Sequence, residues 1–330
     1  MKGEIFVDWL TASEHHPQGG LPIVFSGLHS WYGRTGICLS ERTLPESVGG
    51  SFDTTVRVGC NGSRVFISGN VGRFGRPDNL FNLGWPETWA AANRILQGIA
   101  LPPLGVARGV PGDAEYRPGA RVSRLDITAN FGTGSDAQAR AVIRWLGAQS
   151  ISRLKRGMVG DESVWWANTQ RMFKAYMKAP EMLKHGASAD EFAVVWCRDK
   201  GVVRVEIELK RRLLADLGLD HVGAVSDAAL LSVFKDQTEL LRRVDRSDAP
   251  DLLASIPARY RMTCAAWLAG QDVRSMMSLR SFRYHAKALR EYGIDIGQAR
   301  NVEAFPLKVR VIELVPLAVP DWYEPLMRRA

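Results

Sequence analysis

Alternation of apolar and polar positions is strongest in two stretches. In Ser123-Arg124-Leu125-Asp126-Ile127-Thr128-Ala129-Asn130, apolar Leu125, Ile127 and Ala129 alternate with Arg124, Asp126 and Thr128, the period-two signature of a half-buried strand. Val203, Val205, Ile207 and Leu209 alternate in the same way with Arg204, Glu206, Glu208 and Lys210, placing two carboxylates and two cations on one face. Shorter apolar and β-branched runs at 5–10, 54–58, 64–68, 163–166 and 172–177, interrupted by Gly, Pro and Asn, predict further strands. Helical spacing predicts helices over 85–101 and over 136–146, where Ala139, Val142, Ile143 and Leu146 share a face. From Ser226 the character turns helical, with Ala229, Leu230, Val233, Leu240 and Leu241 in register, followed by helices over 252–268 and 281–292. A late strand over 308–316 precedes the aromatic tail Asp321-Trp322-Tyr323. The expected fold is α+β: an antiparallel sheet domain with flanking helices over 1–225, a helical region over 226–300, and a C-terminal strand and tail over 301–330. No internal repeat or low-complexity segment is present.

Composition adds a partner class. The 330 residues carry 43 Lys+Arg against 35 Asp+Glu, a formal charge of +8, and this balance favours a polyanion such as nucleic acid. No apolar run approaches membrane-spanning length, and the N-terminus lacks a signal-peptide pattern, so a cytoplasmic protein with no membrane partner is expected. Cys38, Cys60, Cys197 and Cys264 are too dispersed for a zinc site or a disulfide scaffold, and are expected to be reduced and mostly buried. No Gly-Lys step occurs anywhere. A Walker A loop is thereby absent, no nucleotide cofactor is expected, and duplex unwinding must come from a partner.

The candidate chemistry centres on Lys174-Ala175-Tyr176-Met177-Lys178. In a strand, Lys174, Tyr176 and Lys178 project from one face, where the ammonium groups would hold a phosphodiester and lower the phenol pKa from its usual value of about 10. The bland reading is a half-buried strand tyrosine with solvated neighbours. Asp126, Glu206 and Glu208 on the two alternating strands supply the oxygen ligands that Mg²⁺ or Mn²⁺ prefers, or else form ordinary cross-strand ion pairs. No histidine–x–histidine pair occurs among the six histidines, and His15-His16 is expected in a solvated loop. The segment 69–79 combines glycines with Arg73, Phe74 and Arg76, and reads either as a DNA-backbone contact in which Phe74 stacks on a base or as a solvated turn. On the last helix, Phe282, Ala286 and Leu289 face inward while Arg280, Arg283, Lys287 and Arg290 face outward. This suits either the recognition helix of a helix-turn-helix or a basic solvated helix.

Five short motifs in order, Ser-Arg-Leu-Asp-Ile-Thr (123–128), Asp-Glu-Ser-Val-Trp-Trp (161–166), Lys-Ala-Tyr-Met-Lys (174–178), Val-Arg-Val-Glu (203–206) and Pro-Asp-Trp-Tyr (320–323), resemble the gene II-type rolling-circle replication initiators of filamentous phages, in the II/X class. The resemblance spans residues 120–323. It implies a site-specific nickase in which Tyr176 attacks the origin phosphodiester, Asp126 and Glu206 coordinate the metal, and Arg124 and Arg204 lie at the DNA. It further implies supercoiled and single-stranded origin DNA as substrates, a host helicase and replication machinery as partners, the bacterial cytoplasm as location, and rejoining of the displaced strand into a circle. Two other classes stay open on the residues alone: a non-enzymatic origin-binding protein, and a nuclease that hydrolyses with water.

Overall fold

The computed structural model describes residues 4–110, 116–148, 154–242, 253, 256–290, 292, 294–297 and 315–323. Its N-terminal part runs β1 (Phe6–His15), β2 (Ile23–Val24), β3 (Gly27–Tyr32), β4 (Cys38–Leu44), β5 (Glu46–Gly49), β6 (Thr55–Asn61), β7 (Arg64–Gly69) and α1 (Trp85–Gly98). Then come β8 (Arg121–Gly132), α2 (Asp136–Ala148), β9 (Lys155–Val159), β10 (Ser163–Ala167), β11 (Arg171–Met177), α3 (Lys178–Lys184), α4 (Phe192–Lys200), β12 (Val202–Lys210) and α5 (Arg211–Asp216). Helices α6 (Asp227–Arg242), α7 (Ala258–Leu268) and α8 (Leu279–Arg290) follow, and β13 (Val315–Pro316) closes the series.

One antiparallel sheet organises the molecule, in the order β2-β6-β7-β1-β8-β12-β11-β10-β9, with β5 added on β6 and β13 on β8. The alternation explains why it has one polar and one apolar face. Leu125, Ile127, Val205, Ile207 and Phe173 are buried in the main core with Leu10 and Ile67, against Trp85 and Leu96 of α1, Ile143 and Leu146 of α2, and Leu230 and Phe234 of α6. Each such side chain contributes about 1.5–3 kcal/mol by leaving water. The fold is therefore α+β with a helical C-terminal region, as the pattern predicts. A second core gathers Phe6, Phe81, Met182, Val194, Cys197 and Tyr323 around α3 and α4. A third joins α7 and α8 through Tyr260, Cys264, Trp267, Ala286 and Leu289.

Several expectations need amendment. Strands β2 to β5 escape the sequence pattern because β3 and β4 pair only with each other and leave most of their side chains in solvent, so no alternation is imposed. Lys178 does not continue the strand: β11 ends at Met177, and Lys178 opens α3 as a fully buried residue. His16 is buried rather than solvated, and burial lowers its pKa. Cys60, Cys197 and Cys264 are buried and Cys38 is exposed, and none of the four forms a disulfide. Of the strand expected over 308–316, residues 308–314 lie outside the described residues. No helix among the described residues is long and apolar enough to cross a membrane.

Candidate active site

The polar face of the sheet carries the chemistry, and strand register decides which side chains meet. Across β11 and β12, Tyr176 stands opposite Arg204, Lys174 opposite Glu206, and Met172 opposite Glu208. Across β12 and β8, Glu206 stands opposite Thr128, Glu208 opposite Asp126, and Lys210 opposite Arg124. A bulge in β1 re-aims one more carboxylate. Val7 pairs with Ile127 and Trp9 with Asp126, so Asp8 is an extra residue; its buried side chain reaches the Arg204 guanidinium on the same face at 3.1 Å.

Tyr176, only 4% exposed, donates its phenol hydrogen to Glu206 Oε1 at 2.5 Å. Lys174 Nζ sits 4.2 Å from the centre of the tyrosine ring and 4.0 Å from Glu206 Oε2. Burial raises the phenol pKa well above its usual value, and the Glu206 charge raises it further, outweighing Arg204. This corrects the expectation that flanking lysines lower it, because Lys178 is committed elsewhere. Lys178 Nζ donates to Asn79 Oδ1 at 2.8 Å and Glu181 Oε2 at 2.6 Å, and burial together with Arg204 depresses its pKa. Glu206 itself is pushed upward, first by burial and then by Asp8, despite Lys174 and Arg204.

A second acidic pair lies further along the same face. Arg124 donates to both oxygens of Asp126, at 2.9 and 2.7 Å, and approaches Glu208 Oε2 at 3.3 Å. Its guanidinium rests 4.8 Å over the Trp9 ring. Lys210 Nζ lies 3.4 Å from Glu208 Oε1. Burial pushes the Asp126 carboxyl up to about 7; Arg124 opposes this and the Glu208 and Glu206 charges reinforce it. Desolvation is the first cause of that proton affinity, and the neighbouring carboxylates add only the remainder. Next to these acids, the fully buried Thr128 hydroxyl has no hydrogen-bond partner. The donor set is thus all oxygen with one orphaned hydroxyl, and by chemistry it fits a hard cation. Among the described residues no three metal-ligating side chains already converge.

Two arginines expected at DNA are architectural instead. Arg204 is 0% exposed; it donates to Asn130 Oδ1 at 2.9 Å, Asp8 Oδ2 at 3.1 Å, and the carbonyls of Asn79 and Leu80 at 2.6 Å each. Arg76 is equally buried, donating to the carbonyls of Gly72 and Phe81 at 2.9 and 2.8 Å and to the Tyr323 hydroxyl at 3.3 Å. Arg204 is engaged on all three guanidinium nitrogens, and Arg76, whose Nε has no partner, is closed off from a phosphate by burial. Phe74 is half-buried and packs against the main core rather than standing ready to stack on a base. Arg73 is half-buried, with a buried Nε that has no partner. Arg280, Arg283, Lys287 and Arg290 are all exposed on α8, and Arg290 lies 3.6 Å from Asp295. Sequence reasoning missed Asp8, Asn79 and Asn130, which hold the buried cations; a lone carboxylate inside the apolar run Phe6-Val7-Asp8-Trp9-Leu10 was the available signal.

Comparison with known proteins places this geometry in a lineage. Residues 53–228 match the family described as the N-terminal part of the gene II replication-associated protein, and residues 250–326 match the corresponding C-terminal family. The gene II replication-associated protein of Escherichia phage If1 is 29% identical over 317 residues, covering 81% of this chain and 97% of the relative. Its counterpart from Enterobacteria phage I2-2 is 26% identical over 310 residues, covering 85% and 86%. The Tyr176, Glu206, Asp126 and Glu208 cluster lies within the N-terminal match, and the chain belongs to the gene II replication-associated protein family of filamentous phages.

Proposed function

We propose that the chain initiates rolling-circle DNA replication by cutting one strand of an origin through Tyr176 and later transferring that strand back into a circle. The observation that carries this reading is the hydrogen bond from the Tyr176 phenol to Glu206, with Lys174 against the ring. A phenol whose pKa is raised needs a base. Glu206 is in place to take the proton, and its own raised proton affinity makes it a stronger base than an exposed carboxylate. The phenolate oxygen then bonds to phosphorus as the P–O3′ bond breaks, the 3′ oxygen leaves and takes up a proton, and Lys174 stabilises charge on the phosphoryl oxygens. Lys178 serves by anchoring α3 to Asn79 rather than by touching phosphate. Asp126 and Glu208, opposite one another across β8 and β12, are the residues that would hold Mg²⁺ or Mn²⁺, which would polarise the scissile phosphate while Glu206 stays available as the base. The 5′-phosphotyrosine preserves the cleaved linkage, so rejoining requires no nucleotide, and a host helicase opens the duplex.

One rival draws support from a specific observation. Tyr176 is nearly inaccessible, which suits a nuclease that hydrolyses with water while Tyr176 merely orients Glu206. Incubation with supercoiled origin DNA and Mg²⁺, followed by denaturing electrophoresis, separates the readings. Protein attached to a 5′ end supports the nickase; free ends support the hydrolase. Retarded but uncut DNA supports a non-enzymatic origin-binding protein.

A further inference from the structure

The ribbon formed by β3 and β4 has no role in the site described above. It is a separate two-stranded sheet, with Leu28 opposite Thr43, His29 opposite Arg42, and Trp31 opposite Ser40. A lone two-stranded hairpin is marginally stable in water and tends to need a partner. This one leaves Leu28, Trp31, Tyr32, Ile37, Leu39 and Leu44 exposed, Tyr32, Ile37 and Leu39 by 64%, 64% and 71%. Its tip is held by hydrogen bonds from Gly33 N to Ile37 O at 2.8 Å and from Gly36 N to Gly33 O at 3.0 Å. Gly36, at φ +77°, adopts the left-handed turn conformation. Exposed Arg34 sits on that tip, and exposed Arg42 on the stem. Glu41 is the sole acid within the ribbon, and it accepts a hydrogen bond from Ser30 Oγ at 3.4 Å. His29 and Trp31 rings lie 4.3 Å apart on one face, alongside Arg42.

The ribbon is rooted at the candidate site's own sheet. Its two flanking strands, β2 and β5, both pair with β6. On β6, Arg57 begins a row of directly opposed residues, Arg57, Ser68, Thr11, Arg124 and Lys210, that crosses β7, β1 and β8 to β12. Directly opposed residues share a face, so this row places three cations between the ribbon's root and Glu208.

We propose that the β3–β4 ribbon is a DNA arm: it enters a groove of the origin duplex and presses its apolar tip, Tyr32, Ile37 and Leu39, against the base steps, with Arg34 and Arg42 on the flanking phosphates. The charge balance favours a polyanion over a second protein, and a two-stranded ribbon has the cross-section a groove admits. Apolar wedges set between base steps unstack and kink duplex DNA. For a chain without a nucleotide-binding loop, such distortion would supply the locally opened strand that Tyr176 attacks; in that respect the inference rests on the nickase reading.

The test uses the full chain and linear duplex fragments tiled across the replicon that encodes it. Bending is read by end-to-end fluorescence transfer, and unstacking by permanganate oxidation of thymines. The wild-type protein is expected to bend one fragment and expose thymines in it. A Tyr32→Ser, Ile37→Ser, Leu39→Ser triple variant should lose both signals while still binding. An Arg34→Ala, Arg42→Ala double variant should lower the log–log salt slope of binding by about two. Cleavage of a single-stranded oligonucleotide spanning the nick should stay within about twofold of wild type for both variants, because that substrate has no duplex to distort. Unchanged bending and permanganate reactivity in the triple variant would overturn the inference. So would loss of self-association in sedimentation with DNA distortion intact, which would make the ribbon a protein interface. Since the distortion signals need no cutting, a wild-type protein that distorts duplex yet never cleaves would sink the nickase reading and leave the arm standing.

Discussion

Arginines and lysines in two regions of this molecule look alike in the sequence and behave in opposite ways. Near Tyr176, Arg204, Arg76 and Lys178 are buried, and each is bonded to at least two protein acceptors. On α8, Arg280, Arg283, Lys287 and Arg290 stand in solvent on a helix whose apolar face is spent on the third core. The first group holds the site together and is shut away from a ligand by burial. The second stays accessible to a ligand, although Arg290 already meets Asp295 at 3.6 Å, and adds little to the fold. A basic chain therefore does not announce which of its cations meet DNA; desolvation and pairing sort them.

The largest expected effect tests the chemistry that the buried group supports. Tyr176→Phe should abolish the covalent 5′ adduct while retaining origin binding, and Glu206→Gln, which keeps a hydrogen-bond partner but removes the base, should slow cleavage by about 10²–10⁴-fold. An adduct still formed by the Phe variant would exclude Tyr176 as nucleophile. Next comes Arg204→Ala, which takes the guanidinium from Asp8 Oδ2 and Asn130 Oδ1 while Asn82 and Asn70 still donate to Asp8 Oδ1, and should cost about 3–5 kcal/mol in urea denaturation, as for other broken buried pairs. Near-normal stability would mean that Arg204 is not the keystone its contacts indicate.

The third test exploits the Asp126 carboxyl, whose pKa is about 7 in the folded chain against about 3.9 for a free aspartate. Between those values the folded state keeps a proton that the unfolded chain releases. The stability this carboxyl contributes should thus fall as pH rises from about 4 to about 7, then level off. In EDTA, Asp126→Asn has no such carboxyl, so its melting temperature relative to wild type should climb over the same interval. A constant difference across that range would show that Arg124 neutralises the carboxylate fully. Added Mn²⁺ should raise the melting temperature of wild type more than that of the variant, if Asp126 is a ligand.

The smallest stability effect belongs to the exposed group. Arg283→Ala with Lys287→Ala should change folding stability by no more than about 0.5 kcal/mol, yet reduce the salt slope of origin-duplex binding by about one per lost phosphate contact. Cleavage of a single-stranded oligonucleotide should barely move. Equal losses on both substrates would make α8 a support of the catalytic sheet instead of a DNA-reading helix, and the contrast between the two groups of cations would collapse.

Much of this architecture was legible from local pattern. The period-two runs at β8 and β12 named the polar-face residues Asp126, Glu206 and Glu208, and helical spacing located α2, α6 and α8 to within a few residues. The ordered motifs pointed to the family that the comparisons bear out. Less legible was β11, where period two correctly put Lys174 beside Tyr176 but wrongly carried Lys178 onto the same face, because nothing in the alternation shows where a strand turns into a helix. The ribbon left no trace either: alternation records burial, and β3 and β4 have almost none.

By itself the sequence determined the fold class, the side of the sheet that carries polar chemistry, and the presence of a tyrosine, several carboxylates and an excess of cations. These follow from periods of two and 3.6 residues, which every short segment obeys alone. Only the tertiary structure decided that Tyr176 hands its hydrogen to Glu206, that Asp8 meets Arg204 across 196 positions of chain, and that Lys178 and Arg76 are consumed internally. Proton affinities and the availability of charged groups depend on desolvation and on partners brought from distant segments. No local pattern encodes which segments those will be.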